Sequence, residues 1–284
     1  MHINYWQEIK NDIFGKLGLI LITLVVVFAI LAPLLTSYQP QDYTGSAFSS
    51  PSWQNLLGTN DVGQDIWTRL LYGARTSLIV GCGAAVLSIL ISVLVGCTAA
   101  LFGGLYDRLM MRLVDAMIVI PPVIVVILVA AYLRPNTLLM IVLIAVFLWP
   151  GGARIIRAQT LSLKERMHVA AARTFGAGWP HLLVHHIIPD LGPVIVATMI
   201  RDARRAIFME AGLSFLGISD PSVVSWGKMM QHALRFSYLD VWKWWLLPPG
   251  FALSLLISTL TFLGFSLEKI LNPRLRKGVS HAGD

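Results

Sequence analysis

Charge is what this chain has least of: Asp, Glu, Lys and Arg together make up 13% of its 284 residues. Soluble domains carry roughly a quarter. With 56% of residues hydrophobic and a mean hydropathy of +0.70, a water-soluble fold would have too little polar surface to cover itself. Lipid is the expected solvent. Acidic residues are the scarcer sign, 15 against 22 basic ones, which leaves a net charge of +7 and a pI near 9.6. In a soluble protein that excess would point to nucleic acid. In a membrane protein it points first to a positive-inside bias, and no nucleic-acid partner is expected.

Cysteine is nearly absent too. Cys82 and Cys97 lie in one apolar run, and on a single helix they stand about 22 Å apart, beyond the ~7 Å Cα limit of a disulfide. Both read as small apolar packing residues, without a metal or redox role. No stretch resembles G-x-x-x-x-G-K-[ST], so phosphate-cradling ATP chemistry is not expected here. No G-x-S-x-G elbow occurs, nor a nucleophile beside a base. The segment Met1–Gly15 is polar, with Trp6, Glu8, Lys10 and Asp12, and the apolar run after it meets Pro40 and Gln41 in place of a small-x-small cleavage site. The first span is therefore expected to be retained.

Long apolar runs are abundant. A membrane span needs about 20 mostly apolar residues. Residues 17–35, 76–102, 116–133, 137–153, 187–215 and 246–267 each qualify, the third interrupted by Pro121 and Pro122. The second is rich in Gly, Ala and Ser, which let helices approach closely where lipid supplies no hydrophobic drive. If the N-terminus is cytoplasmic, the inner segments hold Lys10, Lys16, Arg108, Arg112, Arg154, Arg157, Lys164, Arg166, Arg173, Lys269, Arg274, Arg276 and Lys277. The outer ones hold Arg69, Arg75, Arg134, Lys228, Arg235 and Lys243. Thirteen against six places both termini in the cytoplasm. The outer connections are then 36–75 and 217–245. Trp226, Trp242, Trp244 and Trp245 in the second suggest a loop lying at the headgroup level.

The inner connection, 154–186, reads as a helix-turn-helix. Ser162 is placed to cap a helix with Glu165 completing a capping box, and the helix is expected to run to about Phe175. Gly176, Ala177 and Gly178 stop it, Pro180 begins a second short helix, and Pro189 leads into the fifth span. Ala170, Ala171 and Ala172 make a flat surface against which another backbone can dock, while composition alone favours an amphipathic surface hairpin with no partner.

Here the order of residues resembles a known family. Bacterial ABC importer permeases carry a cytoplasmic motif, roughly E-A-A-x3-G-x9-I-x-L-P. This chain has Ala170-Ala171-Ala172, then Gly176, then His186-Ile187-Ile188-Pro189 in the same register. Ala170 stands where the motif has Glu, and His186 where it has Ile. LGTNDVGQDIWTRLLYGARTSL (57–78), GGLYDRLMMRLVDAMIVIP (103–121), MEAGLSFLGISDPSVVSWGKMM (209–230) and NPRLRK (272–277) resemble the dipeptide, oligopeptide and nickel branch. The resemblance covers nearly the whole chain. It implies an all-α integral membrane protein with six transmembrane helices, the type I ABC importer permease fold, and a coupling hairpin between spans 4 and 5.

The resemblance also implies a division of labour. Ala170, Ala171, Ala172, Gly176, His186 and Pro189 would form the ATPase-coupling surface. This chain would hold no cofactor and no catalytic site, with ATP and magnesium on partner subunits. The partners would be a second homologous permease subunit, two ATP-binding cassette subunits and an extracytoplasmic substrate-binding protein. Cargo stays open among dipeptides, oligopeptides, glutathione-like peptides, nickel and metal chelates. The chain divides into a cytoplasmic segment 1–16, a first span with outer loop 17–75, a core of five spans 76–267 containing the hairpin 154–186, and a cytoplasmic tail 268–284.

The fifth span carries Arg201, Asp202, Arg204 and Arg205 near its middle, where the family's stretch is mostly apolar or small. A central charge costs at least about 2.5–3.5 kcal/mol, so each should face protein or water. Arg201, Arg204 and Arg205 share one helix face, and Asp202 is placed to pair with Arg205. The cluster reads as an internal ion-pair network, as a positively lined pathway wall favouring anionic cargo, or as the cytoplasmic end of a later-starting span. Glu210 belongs to the same candidate lining, or pairs within the bundle.

Other constellations have plainer readings. His181, His185 and His186 lack a neighbouring carboxylate or Cys at ligand spacing. Met110, Met111, Met229 and Met230 read as packing. Asp61 and Asp65 around Gly63 read as a turn with a helix cap, with a calcium site as the alternative. Two rival functions remain. A stand-alone secondary transporter or channel would show inverted repeats, and an intramembrane enzyme would need a nucleophile in a span.

Overall fold

The computed structural model describes residues 12–133 and 135–271. Lys10, Arg134 and the NPRLRK segment with Arg274, Arg276 and Lys277 lie outside them. Among the described residues the structure is helical. Five helices are long and apolar enough to cross a membrane, and a bent helix pair, counted as one span, is the sixth.

Helix α1 (Ile13–Leu35) is capped by Asp12, whose carboxylate accepts from the Gly15 amide at 3.2 Å and from Lys269 Nζ at 2.9 Å. Helix α2 (Ile66–Phe102) has 37 residues, so it spans about 55 Å, well beyond a ~30 Å hydrocarbon core. It begins ten residues before the apolar run at Thr76, because IWTRLLYGAR contains no proline and Gly73 is tolerated within the helix. Asp65 caps it, accepting from the Thr68 amide and hydroxyl at 2.7 Å, just after the turn at Gly63 with φ +83°.

The third span is not one helix. Helix α3 (Gly104–Val119) and helix α4 (Pro122–Tyr132) meet at 80°. Consecutive prolines remove two amide donors and push the preceding residues to extended backbone, as Ile120 (ψ 124°) and Pro121 (ψ 113°) show. Helix α5 (Thr137–Leu163) starts at an Asn136 cap, whose side chain accepts from the Leu139 amide at 2.8 Å.

Ser162 falls inside the last turn of α5 and caps nothing. Nothing in RIIRAQTLSL stops α5 at the membrane edge, so the hairpin starts later than its sequence suggests. Its first helix is α6 (Met167–Thr174), with Arg166 at the cap position. Gly176, at φ +89°, ends it. Helix α7 (Trp179–Leu182) carries Pro180 in its first turn and runs through a π-helical segment (Leu183–Ile187) into helix α8 (Ile188–Phe215). Helices α9 (Trp226–Leu234), α10 (Trp242–Trp245) and α11 (Leu247–Leu271) complete the described residues.

Helix α2 is the central column, packed against α5, α8 and α1. Its small residues set the spacing. A Cβ on Gly96 would lie 2.7 Å from the Ala153 carbonyl oxygen of α5, and one on Gly81 would lie 2.4 Å from Ile207 of α8. Ser92 Oγ donates to the Trp149 carbonyl at 2.9 Å. The connections 36–65 and 216–246 pack together, with Phe48, Phe236 and Trp245 clustered at centroid distances of 5.1 and 5.8 Å. Trp226 and Trp245 are buried there, Trp242 and Trp244 half-buried, and the Trp226 indole donates to the Leu70 carbonyl at 2.9 Å.

Substituting Gly96→Leu should force α2 from α5 and destabilise the protein by roughly 1–3 kcal/mol, the usual penalty of overpacking. Thermal denaturation in detergent reads this out. Gly212→Ala, where an added Cβ meets nothing within 4 Å, should leave the midpoint unchanged or slightly raised.

Candidate functional site

The charged turn of α8 divides by direction. Asp202 is fully buried toward α2, where it accepts from Ser88 Oγ at 2.8 Å and from Arg201 Nε and a terminal guanidinium nitrogen at 3.2 and 3.1 Å. Its partner is thus Arg201 and not Arg205. The Ser88 contact draws the carboxylate into the α2 interface, while Arg205 turns to the open side. Arg204 donates to Thr261 Oγ on α11 at 3.1 Å.

Arg204 and Arg205 line a cavity of about 580 Å³. Its walls come from the broken span (Met117, Ile120, Pro122), from α5 (Phe147) and from α8 (Phe208, Met209). Among the described residues, no carboxylate lies within ion-pair distance of Arg204 or Arg205. Glu210 sits apart, buried and held by Ser214 Oγ at 2.7 Å and Ser77 Oγ at 3.4 Å. The five charged residues therefore form an internal pair, a cavity-facing pair and a serine-bound carboxyl.

The hairpin between α5 and α8 presents Ala170, Ala171 and Gly176 to the outside, with Ala172 and His186 half-buried and Pro189 exposed. Val169, Leu182 and Ile187 are buried and pin it to the bundle. Met167 and Phe175 are 88% and 90% exposed, an unusual position for large apolar side chains with no fold partner. Arg166 and His168 both reach Asp190 at the start of α8, at 3.4 and 3.2 Å. Arg173 lies over the Trp179 ring at 4.9 Å. His181 and His185 stack at 4.3 Å. Among the described residues, no three His, Cys, Asp or Glu side chains are placed to hold a metal ion.

Several ties had no distinctive signal in the sequence. Asp107 takes a two-pronged contact from Arg157, and Asp115 pairs with Arg154, so α3 is clamped to α5 by two ion pairs. At the other end, Asp220 accepts from the Thr137 amide and hydroxyl, both at 2.9 Å, and so caps α5 across 83 residues of chain. Partial burial opposes ionisation of Asp220, but hydrogen bonds from Ser222 and Thr137 outweigh it and hold the carboxyl below its ordinary range. Lys228 Nζ donates to the carbonyls of Asp220, Pro221 and Val223, and burial together with the nearby Arg69 charge lowers its pKa.

Comparison with known proteins adds an independent finding. Residues 88–277 match the family described as binding-protein-dependent transport system inner membrane component. Residues 4–51 match the N-terminal transmembrane domain of oligopeptide transport permease C. A Brucella suis protein named as a peptide permease is 38% identical over 259 residues, covering 90% of this chain and 86% of its own length. A second Brucella suis protein, named as a peptide transport system permease, is 36% identical over 92% of this chain and 88% of its own. The oligopeptide transport system permease protein OppC of Bacillus subtilis is 34% identical over 97% and 92%.

The Asp220 cap carries a pH signature. Its carboxyl titrates lower in the folded state, so its stabilisation is present above the unfolded carboxyl pKa and lost as pH falls through the folded one. Asp220→Asn should lower the thermal midpoint at neutral pH. The gap from the unsubstituted protein should close on acidification, as followed by thermal denaturation across that range.

Proposed function

The chain belongs to the family of binding-protein-dependent transport system inner membrane components, and from that premise we propose that it is the membrane-spanning permease subunit of an ATP-driven peptide importer. The fold is the type I ABC permease fold, and the protein is a multi-pass inner-membrane protein. The peptide names of its relatives favour peptides over nickel or metal chelates as cargo.

The observation that carries the coupling role is the exposed hairpin. Met167, Phe175, Ala170 and Ala171 present an apolar, partly flat surface that the other described residues leave uncovered. Ala170 in place of the motif glutamate removes one polar contact and leaves the flat surface intact. ATP hydrolysis is assigned to two separate ATP-binding cassette subunits, delivery to an extracytoplasmic binding protein, and the other half of the pathway to a second permease. The lysine and arginine distribution supports cytoplasmic termini and a cytoplasmic hairpin.

Transport follows by alternating access. Closure of the ATPases shifts the hairpin, and the hairpin is fixed to α8 through Arg166, His168 and Asp190. Movement at the hairpin is therefore passed to the helix that carries the cavity-facing arginines. A ligand or nucleotide biases this equilibrium only by its differential affinity for the two states. A stand-alone transporter would leave the hairpin surface without an occupant, and an intramembrane enzyme would need a nucleophile beside a base, whereas the Thr261 hydroxyl in the cavity lining is bonded to Arg204 and the Ile257 carbonyl.

The test is pull-down of the ATPase subunits together with ATP-dependent uptake of a labelled peptide. Ala171→Arg and Phe175→Ser should each reduce co-purification and uptake by about tenfold or more at unchanged membrane level, as expected when a central interface contact is lost. Wild-type uptake in both variants, with no ATPase recovered from either or from the parent protein, would show that the chain works without ATP-driven partners.

A further inference from the structure

Arg204 and Arg205 are the two cavity-facing cations near the middle of α8. Arg201, one turn away, has Asp202. Among the described residues Arg204 bonds only to the neutral Thr261 hydroxyl, and Arg205 has no carboxylate within ion-pair distance, because neighbouring Asp202 is bonded to Arg201 and Ser88 instead. Around them the cavity is apolar, with Phe208, Met209 and Pro122 in its walls. Two guanidinium groups beside an apolar cavity, neither in contact with an anion among the described residues, keep donors free for one, and electrostatic attraction strengthens as the local dielectric falls.

We infer that Arg204 and Arg205 form a carboxylate-reading site in the translocation pathway, which takes the carboxylate of a peptide cargo while the apolar walls accommodate its side chains. The inference rests on the permease reading. Guanidinium donors fit a planar carboxylate in two-pronged fashion. Thr261 orients Arg204 and engages one of its donors, leaving others for the cargo. A pathway site must also release what it binds, and a pair that is half-buried on one side and exposed on the other suits passage better than a closed pocket.

The experiment uses the complete transporter in cells, with labelled peptide pairs: a neutral tripeptide and its C-terminal amide, and a glutamate-containing peptide and its glutamine counterpart. The binding protein is common to all strains, so its own preference cancels when variant and parent ratios are compared. Arg204→Gln combined with Arg205→Gln should lower uptake of the carboxylate member by about tenfold relative to its uncharged counterpart, the discrimination expected for charge-assisted hydrogen bonds. A drop in the first pair alone assigns the site to the terminal carboxylate, and a drop in the second alone to an acidic side chain. Arg204→Lys and Arg205→Lys should keep most of the preference, which separates lost recognition from lost folding. Arg205→Glu should turn the preference toward lysine-containing peptides. An unchanged ratio, or an equal fall for both members of each pair, overturns the inference while the permease reading stands. Absence of any peptide uptake by the parent protein removes both.

Discussion

Helices in hydrocarbon gain nothing from hiding apolar surface from one another, so they must be held by close backbone approach and by polar contacts inside the bundle. In this protein both devices are concentrated on one face of α2. Gly96 brings the α5 backbone into contact, Gly81 makes room for the Ile207 side chain of α8, and Ser77, Ser88 and Ser92 reach Glu210, Asp202 and the Trp149 carbonyl. Removing the small residues would part the helices. Removing the serines would leave buried acceptors short of a donor, and such groups are expensive where no water can replace the partner.

That constraint explains how the charges of α8 are disposed. Asp202 can lie in the bundle because Ser88 and Arg201 complete it. Glu210 can do so because serines from two helices surround it. Arg204 and Arg205 are left on the side where α2 is not. There the break at Pro121–Pro122 turns α4 away by 80° and opens the cavity beside them. A helix break and a pair of arginines, unremarkable separately, become a site because they fall on the same side of the same bundle.

The two ends of the bundle are secured differently. On one, Asp107–Arg157 and Asp115–Arg154 clamp α3 to α5, and Asp190 joins the hairpin to α8. On the other, Asp220 caps α5 and an aromatic cluster joins the long connections. Both sets of contacts leave the hairpin surface at Met167 and Phe175 exposed among the described residues.

The sequence by itself determined the class: scarce charge, six apolar runs and the residue order of the hairpin lead to a multi-pass permease without any coordinates. Local chemistry also predicted the Asp65 cap, the stop at Gly176 and the start at Pro180, because caps and turns depend on neighbours in the chain. Hydropathy alone missed where helices overrun their apolar segments, since it reports lipid contact and α2 and α5 continue past it. Only the tertiary structure decided that Trp226 and Trp245 are buried, that Asp202 pairs with Arg201, and that Asp220 caps a helix far away in sequence. Side-chain direction depends on which helix stands opposite, and spacing along one helix carries no record of its neighbours.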